Sequence, residues 1–192
     1  MANPTVAEIS ASRGKATGAV SWADLGTALP TTAIATLTGF TGLGYIGADG
    51  IQPSREISTD DVKDMNGDTV FVLQTDFTRG YEFELLQSTN VDVNELIFGS
   101  ANVTVTAGGP TNGALVTSVD KGEQQAHFAL VVDTFNVDKK HRETAADVQV
   151  ESVEFGPLVG TAVRSYKVKL KVFRDGSGNF VTSYDDDGVL VP

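Results

Sequence analysis

The sequence contains no cysteine, one tryptophan and only two histidines among its 192 residues. Without cysteine there is no disulfide framework, no thiolate metal site and no cysteine nucleophile. The two histidines, His127 and His141, give no support for a multi-histidine metal site or a Ser-His-Asp arrangement. The acidic residues are scattered, and nothing among them identifies a general acid and base pair. These shortages predict a protein that is not an enzyme and that needs no cofactor.

Basic residues are also scarce, since 14 Lys and Arg stand against 25 Asp and Glu, for a formal charge of -11. Sequence-independent DNA binding depends on Lys and Arg that displace counterions from phosphate, so the chain is expected to repel DNA. No stretch approaches the ~18 apolar residues of a membrane span, and the N-terminus lacks the basic start and apolar run of a signal peptide. We expect no membrane partner, and synthesis and folding in a cytoplasm.

The residues that are present indicate a folded, mainly β chain, with 41% apolar and 20% charged residues. Residues 1–57 are rich in Thr, Ala, Gly and Ser and are predicted to form an extended N-terminal arm and loop that packs on or between subunits. The alternative for this segment is a flexible terminus without a structural role. Residues 58–192 are predicted to form the main β-rich part, within one structural domain overall.

The first strong strand signal predicts a hairpin, in which residues 70–77 and 81–86 are joined by a turn at Thr78-Arg-Gly80. Pairing around that turn places an acidic and polar set on one face and aromatic and aliphatic residues mostly on the other. The polar set consists of Gln74, Asp76, Glu82 and Glu84.

Further along, capping side chains at Ser88–Asn90, apolar residues at helical spacing and Gly99 as a stop predict the one convincing helix. Residues 101–107 and 114–119 predict a second hairpin, with Asn112-Gly113 in its turn. Residues 125–135 are apolar on both faces and predict a strand that crosses the middle of a sheet.

Two alternating strands, residues 147–155 and 165–173, follow and are joined across Gly156-Pro157. In the second strand Lys167, Lys169 and Lys171 face out while the residues between them face in. Antiparallel pairing brings Glu151 near Lys169, in a pair worth only a few tenths of a kcal/mol.

A basic cluster, Lys139, Lys140, His141 and Arg142, precedes these strands. It predicts either a solvated loop or a contact with acidic loops such as Asp60-Asp61 or Asp185–Asp187 of another subunit. A nucleic-acid patch is the least favoured interpretation, because the surrounding charge is negative.

Three apparent ligand motifs are set aside. Gly42-Leu-Gly-Tyr-Ile-Gly47 matches a dinucleotide-binding pattern but lacks the following helix, so a turn-rich loop is favoured. Asp175, Ser177, Asn179 and Asp186 have partial calcium-loop spacing without the central glycine. His127 lies in an apolar strand and is interpreted as a satisfied core residue.

Several short elements, in order, resemble those of siphophage major tail proteins over roughly residues 20 to 135. They are Leu43-Gly-Tyr-Ile46, Asp49-Gly-Ile51, Met65-Asn-Gly-Asp68, Tyr81-Glu-Phe83 and Phe98-Gly99. Met65 departs from the pattern, since the family often has Trp there.

This resemblance implies an antiparallel β-sandwich or partial barrel with one short flanking helix, which assembles as homohexameric rings stacked into a hollow tail tube. It implies a virion structural protein whose partners are further copies of itself, the tape-measure protein and other tail proteins. Genome DNA passes through the lumen without specific binding. The face of Gln74, Asp76, Glu82 and Glu84 is the candidate lumen lining, and an outer solvated face is the alternative.

A different function stays open at this point, namely a β-rich host- or carbohydrate-binding module of a virion. Such modules usually carry clustered exposed aromatic residues, whereas this chain has only Trp22 and four tyrosines. The tail-tube interpretation is therefore preferred.

Overall fold

The computed structural model describes residues 10–14 and 18–189, which form eleven strands, one α-helix and a short 3-10 turn. The predicted class, a mainly antiparallel β protein with one short helix, is confirmed. The elements are β1 Arg13–Gly14, β2 Val20–Asp24, β3 Thr41–Gly42, β4 Ile46–Lys63, β5 Thr69–Leu85, α1 Val91–Phe98, the 3-10 turn Ser100–Asn102, β6 Val103–Thr106, β7 Leu115–Ser118, β8 Phe128–Asn136, β9 Lys139–Phe155, β10 Tyr166–Val172 and β11 Thr182–Asp186.

Nine strands form one sheet in the order β3-β2-β8-β9-β10-β5-β4, with β1 also on β8 and β11 also on β9. The two ends of this order meet, because β3 runs directly through residues 43–45 into β4. The Leu43 amide donates to the Val20 carbonyl at 2.9 Å, and the Leu86 amide donates to the Tyr45 carbonyl at 3.1 Å. The sheet therefore closes into a barrel around its own core.

Closure depends on a close contact between Gly18 and Gly44, which form a parallel bridge. Gly44 has φ of 78°, and a Cβ built on Gly18 would lie 3.1 Å from the Gly44 carbonyl oxygen. Neither position accommodates a side chain without strain. The Gly42–Gly47 motif therefore lies where the backbone passes close to Gly18, and it is followed by strand β4 instead of a helix.

The core is centred on β8, which is buried on both faces from Phe128 to Asp133, as predicted for a central strand. In β10 the inward residues are buried and the lysines exposed, so the predicted alternation is confirmed. The core cluster draws on β2, β5, β8, β9, β10 and α1, and its largest fully buried apolar side chains are Leu43, Tyr81, Leu85, Leu130, Tyr166 and Leu170.

The predicted helix is confirmed as α1. The Asn90 side chain accepts a hydrogen bond from the Asp92 amide at 3.0 Å, and Gly99, with φ of 86°, ends the helix. Val93, Leu96 and Ile97 are buried against the barrel. The predicted second hairpin is confirmed as β6 and β7. Within the described ranges, no helix has the length and apolar character needed to cross a bilayer.

The predicted turn at Thr78–Gly80 is wrong, because β5 passes through these residues without interruption and pairs with β4. Gly80 is needed for close packing and not for a turn, since a Cβ there would lie 2.6 Å from the Leu170 carbonyl oxygen. The true turn of this hairpin is at residues 64–68, where the Gly67 amide donates to the Asp64 carbonyl at 3.1 Å.

The N-terminal segment also differs from the expected arm. Val20–Asp24 pairs with β8 as part of the barrel, and Leu43 is fully buried in the core. The boundary expected after residue 57 falls inside β4. Residues 1–9 of the expected arm lie outside the described residues.

Candidate assembly surfaces

The hairpin of β4 and β5 extends well beyond the barrel. β10 pairs with β5 only from Arg79 to Leu85, so residues 69–78 of β5 are paired with β4 alone. Residues 55–63 and 69–76 are exposed throughout. No other described strand pairs with this distal part, which therefore presents two open edges. Open strand edges are templates for pairing with another chain.

A β-bulge changes which residues share a face of the hairpin. Ser58 pairs with Asp76, whereas Thr59 pairs with Gln74, so Thr75 is an extra residue in β5. Because paired residues share a face and neighbours alternate, the bulge brings Leu73 and Phe71 onto the face of Asp76.

Phe71 lies directly opposite Val62 on that face. The exposed fractions are 60% for Phe71, 51% for Leu73 and 47% for Val62, although all three are large and apolar. We call these three residues the tip patch. Such a patch on a single subunit indicates a surface that another molecule covers.

The same bulge corrects the predicted polar face. Asp76, Glu82 and Glu84 share one face of β5, but the register places Gln74 on the opposite face. The Lys167 ammonium donates to a Glu82 carboxylate oxygen at 2.5 Å, and Glu84 accepts a hydrogen bond from the Ser165 hydroxyl. The face is therefore made of paired charges and is not purely acidic.

The predicted cross-strand pair is confirmed on this face, where Lys169 Nζ lies 2.9 Å from Glu151 Oε2. The hydrogen bond and charge of Glu82 raise the pKa of Lys167, and those of Glu151 raise the pKa of Lys169. We call Glu82, Glu84, Glu151, Lys167 and Lys169 the charge ladder. It runs across β5, β10 and β9 on the outer face of the barrel.

The basic cluster is the start of strand β9 and not a loop, and Arg142 within it is only 1% exposed. Its guanidinium binds both carboxylate oxygens of Asp133, at 2.5 and 2.8 Å. It also donates to the carbonyls of Thr32 and Ala35, at 2.9 and 2.7 Å. The prediction that Arg142 contacts another subunit is therefore wrong. Antiparallel pairing sets it opposite Asp133, on the sheet face turned away from the core residue Val132, where the segment of Thr32 and Ala35 covers it.

The rest of the basic cluster meets an acidic segment of its own chain. His141 Nδ1 lies 2.6 Å from Asp185 Oδ1, and Lys140 pairs with Asp186 in the β9–β11 ladder. The expected contact with Asp185–Asp187 thus occurs within the subunit. Asp60 and Asp61 lie exposed on the distal hairpin, where contact with another subunit stays a prediction.

One open end of the barrel contains a cleft of about 500 Å³, with apolar walls that include Ile46, Ile51 and Val132. Glu143 at this end accepts hydrogen bonds from the Tyr81 hydroxyl and from Arg79, the latter at 3.0 Å. Burial, and then the Glu143 carboxylate, raise the pKa of Tyr81. Because both carboxylate oxygens of Glu143 accept hydrogen bonds, Arg79, Tyr81 and Glu143 together link the strands at this end of the barrel. Sequence reasoning missed this group, since these residues lie far apart in the chain.

The apparent calcium residues serve the chain's own turns. The Asp175 carboxylate accepts hydrogen bonds from the backbone amides of Ser177 and Asn179, at 2.9 and 2.8 Å, which lowers its pKa. Asp186 lies in β11. His127 is half-buried, bonds to Asp147 and packs on a phenylalanine ring. Among the described residues, no group of three or more acidic or histidine side chains is placed to hold a metal.

Comparison with known proteins gives one family match. The sequence model of the family described as phage tail tube protein matches residues 6–179. No curated protein matches the chain. Among solved structures, the chain is similar to the tail of an empty GTA particle with C6 symmetry, at 10% identity and a TM-score of 0.41, over 83% of this chain and 92% of that one. The family match takes in strands β1 to β10 and the helix, and it ends before β11.

Proposed function

Because the chain belongs to the phage tail tube protein family, and is thus a structural subunit of such a tube, we propose that its copies close into hexameric rings that stack around a hollow lumen. The tube stands in the virion tail, is assembled in the cytoplasm of the host bacterium, and contacts the tape-measure protein and other tail proteins. Genome DNA passes through without specific binding. The subunit works by assembly alone and is not an enzyme.

The distal hairpin carries this proposal. Because the barrel is closed, its strands leave little unpaired sheet edge for a partner. The distal hairpin, in contrast, has two open edges and the exposed tip patch. Another copy that pairs with these edges satisfies the unpaired backbone groups and covers Val62, Phe71 and Leu73. Asp60 shares the face of the tip patch and Asp61 lies on the opposite face of the same strand, and both are proposed to contact a neighbouring subunit.

We assign the lumen lining to the charge-ladder face, including Asp76, Glu82 and Glu84. Lys167 and Lys169 on this face are each paired with a carboxylate, which lowers their availability to phosphate and leaves Lys171 as the exposed lysine of β10 without such a pair among the described residues. The formal charge of -11 adds repulsion between the wall and DNA. A conduit with such a wall lets DNA pass without holding it.

Electron microscopy of the purified chain tests the assembly. The wild type is expected to form rings or tubes, and replacement of both Phe71 and Leu73 by Asp is expected to leave a folded subunit that forms neither. The matched control is Leu115→Asp on β7, which is 56% exposed and lies outside the β4–β5 hairpin. Tubes from the double variant would refute the role of the hairpin. Dispersed wild-type monomers that bind glycan would favour a carbohydrate-binding virion module instead.

A further inference from the structure

We propose that Val137, at the tip of the β8–β9 turn, is a contact between one copy of this chain and the next, and that its strained backbone is kept for this contact. The inference rests on the proposed tube assembly and adds a second surface, separate from the distal hairpin. Its partner is another copy of the same chain.

The turn itself is tight. Asn136 and Lys139 pair with each other, so residues 137 and 138 alone make the connection between the two strands. Val137 has φ of 56°, and it is the one non-glycine residue with positive φ among the described residues. Two-residue hairpin turns that need positive φ favour Gly or Asn at that position. A β-branched residue there is a true outlier, because its side chain crowds the backbone.

Nothing inside the subunit offsets this strain. The Val137 side chain is 82% exposed, so it gains almost nothing from burial in the barrel. Its side chain has no polar atom that could satisfy a backbone group of the turn. A residue that is both strained and exposed therefore makes its favourable contacts outside the subunit, and such outliers cluster at functional positions.

The turn is presented rigidly. β8 and β9 are neighbours in the middle of the sheet, and β8 is the most buried strand. A side chain at the tip of this pair is held in one position before it meets a partner. Binding through a pre-ordered side chain loses little conformational entropy.

The surroundings of the tip fit a second copy of this acidic chain. Gly188 packs against Asp138, since a Cβ on Gly188 would lie 2.8 Å from the Asp138 Cβ, and Val189, 69% exposed, follows it at the same end. A groove beside the turn is lined by Lys139 and Lys140 as well as by Asp185–Asp187. The two lysines offset two of these three aspartate charges, so the groove adds less repulsion between two copies of formal charge -11 than the aspartates alone would.

The test compares two substitutions in the full chain. Val137→Asn relieves the strain and removes the apolar side chain, so it is expected to raise the Tm of the unassembled subunit by about 2–6 °C. It is also expected to reduce tube yield at least several-fold, measured by sedimentation and electron microscopy. Val137→Ile keeps both the strain and the apolar character, and it should assemble like the wild type.

Three results would overturn the inference: a lowered Tm for Val137→Asn, wild-type tube yield for that variant, or an equal loss of tubes for Val137→Ile. Failure of the proposed function looks different, because the wild type itself would then form no rings or tubes. If wild-type tubes form and Val137→Asn assembles equally well, only the contact at Val137 is refuted.

Discussion

The two halves of strand β5 both carry large apolar residues but have opposite environments. In the half that belongs to the barrel, Tyr81, Phe83 and Leu85 are at most 2% exposed. In the half that belongs to the distal hairpin, Phe71 and Leu73 are 60% and 51% exposed. In the barrel half the apolar residues alternate with others, whereas Val70–Leu73 in the hairpin half are apolar without a break. What differs is whether another part of the same chain covers them.

This difference separates two roles within one strand. Burial of the barrel half stabilises the subunit, by roughly 1.5–3 kcal/mol for each fully buried large side chain. The hairpin half gives the isolated subunit no comparable stabilisation, and its apolar surface is the one proposed to contact a neighbouring copy. Substitutions in the two halves should therefore give different kinds of defect.

The largest expected effect comes from the barrel side, at the buried pair of Arg142 and Asp133. Arg142→Ala leaves the Asp133 carboxylate buried without its guanidinium partner, and it also frees the loop held through Thr32 and Ala35. We expect the free energy of unfolding, measured by urea titration, to fall by about 3–5 kcal/mol.

Arg55→Ala is the matched control on the hairpin. Arg55 is exposed and lies 5.2 Å from the centre of the Phe77 ring, a contact worth about 0.5–1 kcal/mol at an exposed site. Equal losses for the two arginines would contradict the division between barrel and hairpin.

An intermediate effect is expected from two leucines of the same strand. Leu85→Ala removes a fully buried side chain and should lower the free energy of unfolding by about 2–5 kcal/mol. Leu73→Ala should change it by less than about 0.5 kcal/mol, because the side chain is half exposed. Leu73→Ala should instead reduce tube yield. A stability loss at Leu73 similar to that at Leu85 would mean that the hairpin is part of the folding core.

The smallest effect concerns the turn at the hairpin tip. The Asp64 carboxylate accepts hydrogen bonds from the Asn66 and Asp68 amides, both at 2.9 Å, and these lower its pKa below the usual 3.8. A lowered folded-state pKa means that the stabilisation is complete above the unfolded pKa and is lost as pH falls through the folded pKa. We expect the Asn66 and Asp68 amides to exchange faster relative to buried β8 amides below that pH.

Asp175 provides the barrel-side comparison, because its carboxylate accepts two backbone amides in the same way and its pKa is also lowered. NMR titration of both carboxyl groups checks the expectation. An ordinary pKa at Asp64 beside a lowered one at Asp175 would show that the hairpin turn is not formed in solution.

Patterns that act between near neighbours were predictable from the sequence. The alternation in β10, the cap at Asn90, the stop at Gly99 and the pair of Glu151 and Lys169 depend on residue spacing within one or two elements. Each was predicted and is confirmed. The tail-tube family was also identified from short elements whose order along the chain is characteristic.

Features that depend on distant residues were not predictable in this way. Thr78-Arg-Gly80 has the composition of a turn, but Gly80 is there because β10 passes too close for a side chain. The strand Val20–Asp24 is short and follows small residues, so nothing local marks it as part of the barrel. Arg142 belongs to a basic run that is typical of a surface, and only Asp133 opposite it explains its burial. The bulge at Thr75 has no sequence signal, yet it decides which residues form the tip patch.

The closure of the barrel at Gly18 and Gly44 also orders the events of folding. The β4–β5 hairpin joins residues that are close in sequence, whereas the barrel needs Val20 beside Val132, which is 112 positions further along the chain. Local pairings form quickly, and pairings across long sequence separations form slowly. A newly made chain is therefore expected to display its open hairpin edges before the barrel that carries them is complete. The chain is most susceptible to aggregation in the interval between these two events, and the rate of barrel closure determines how long that interval lasts.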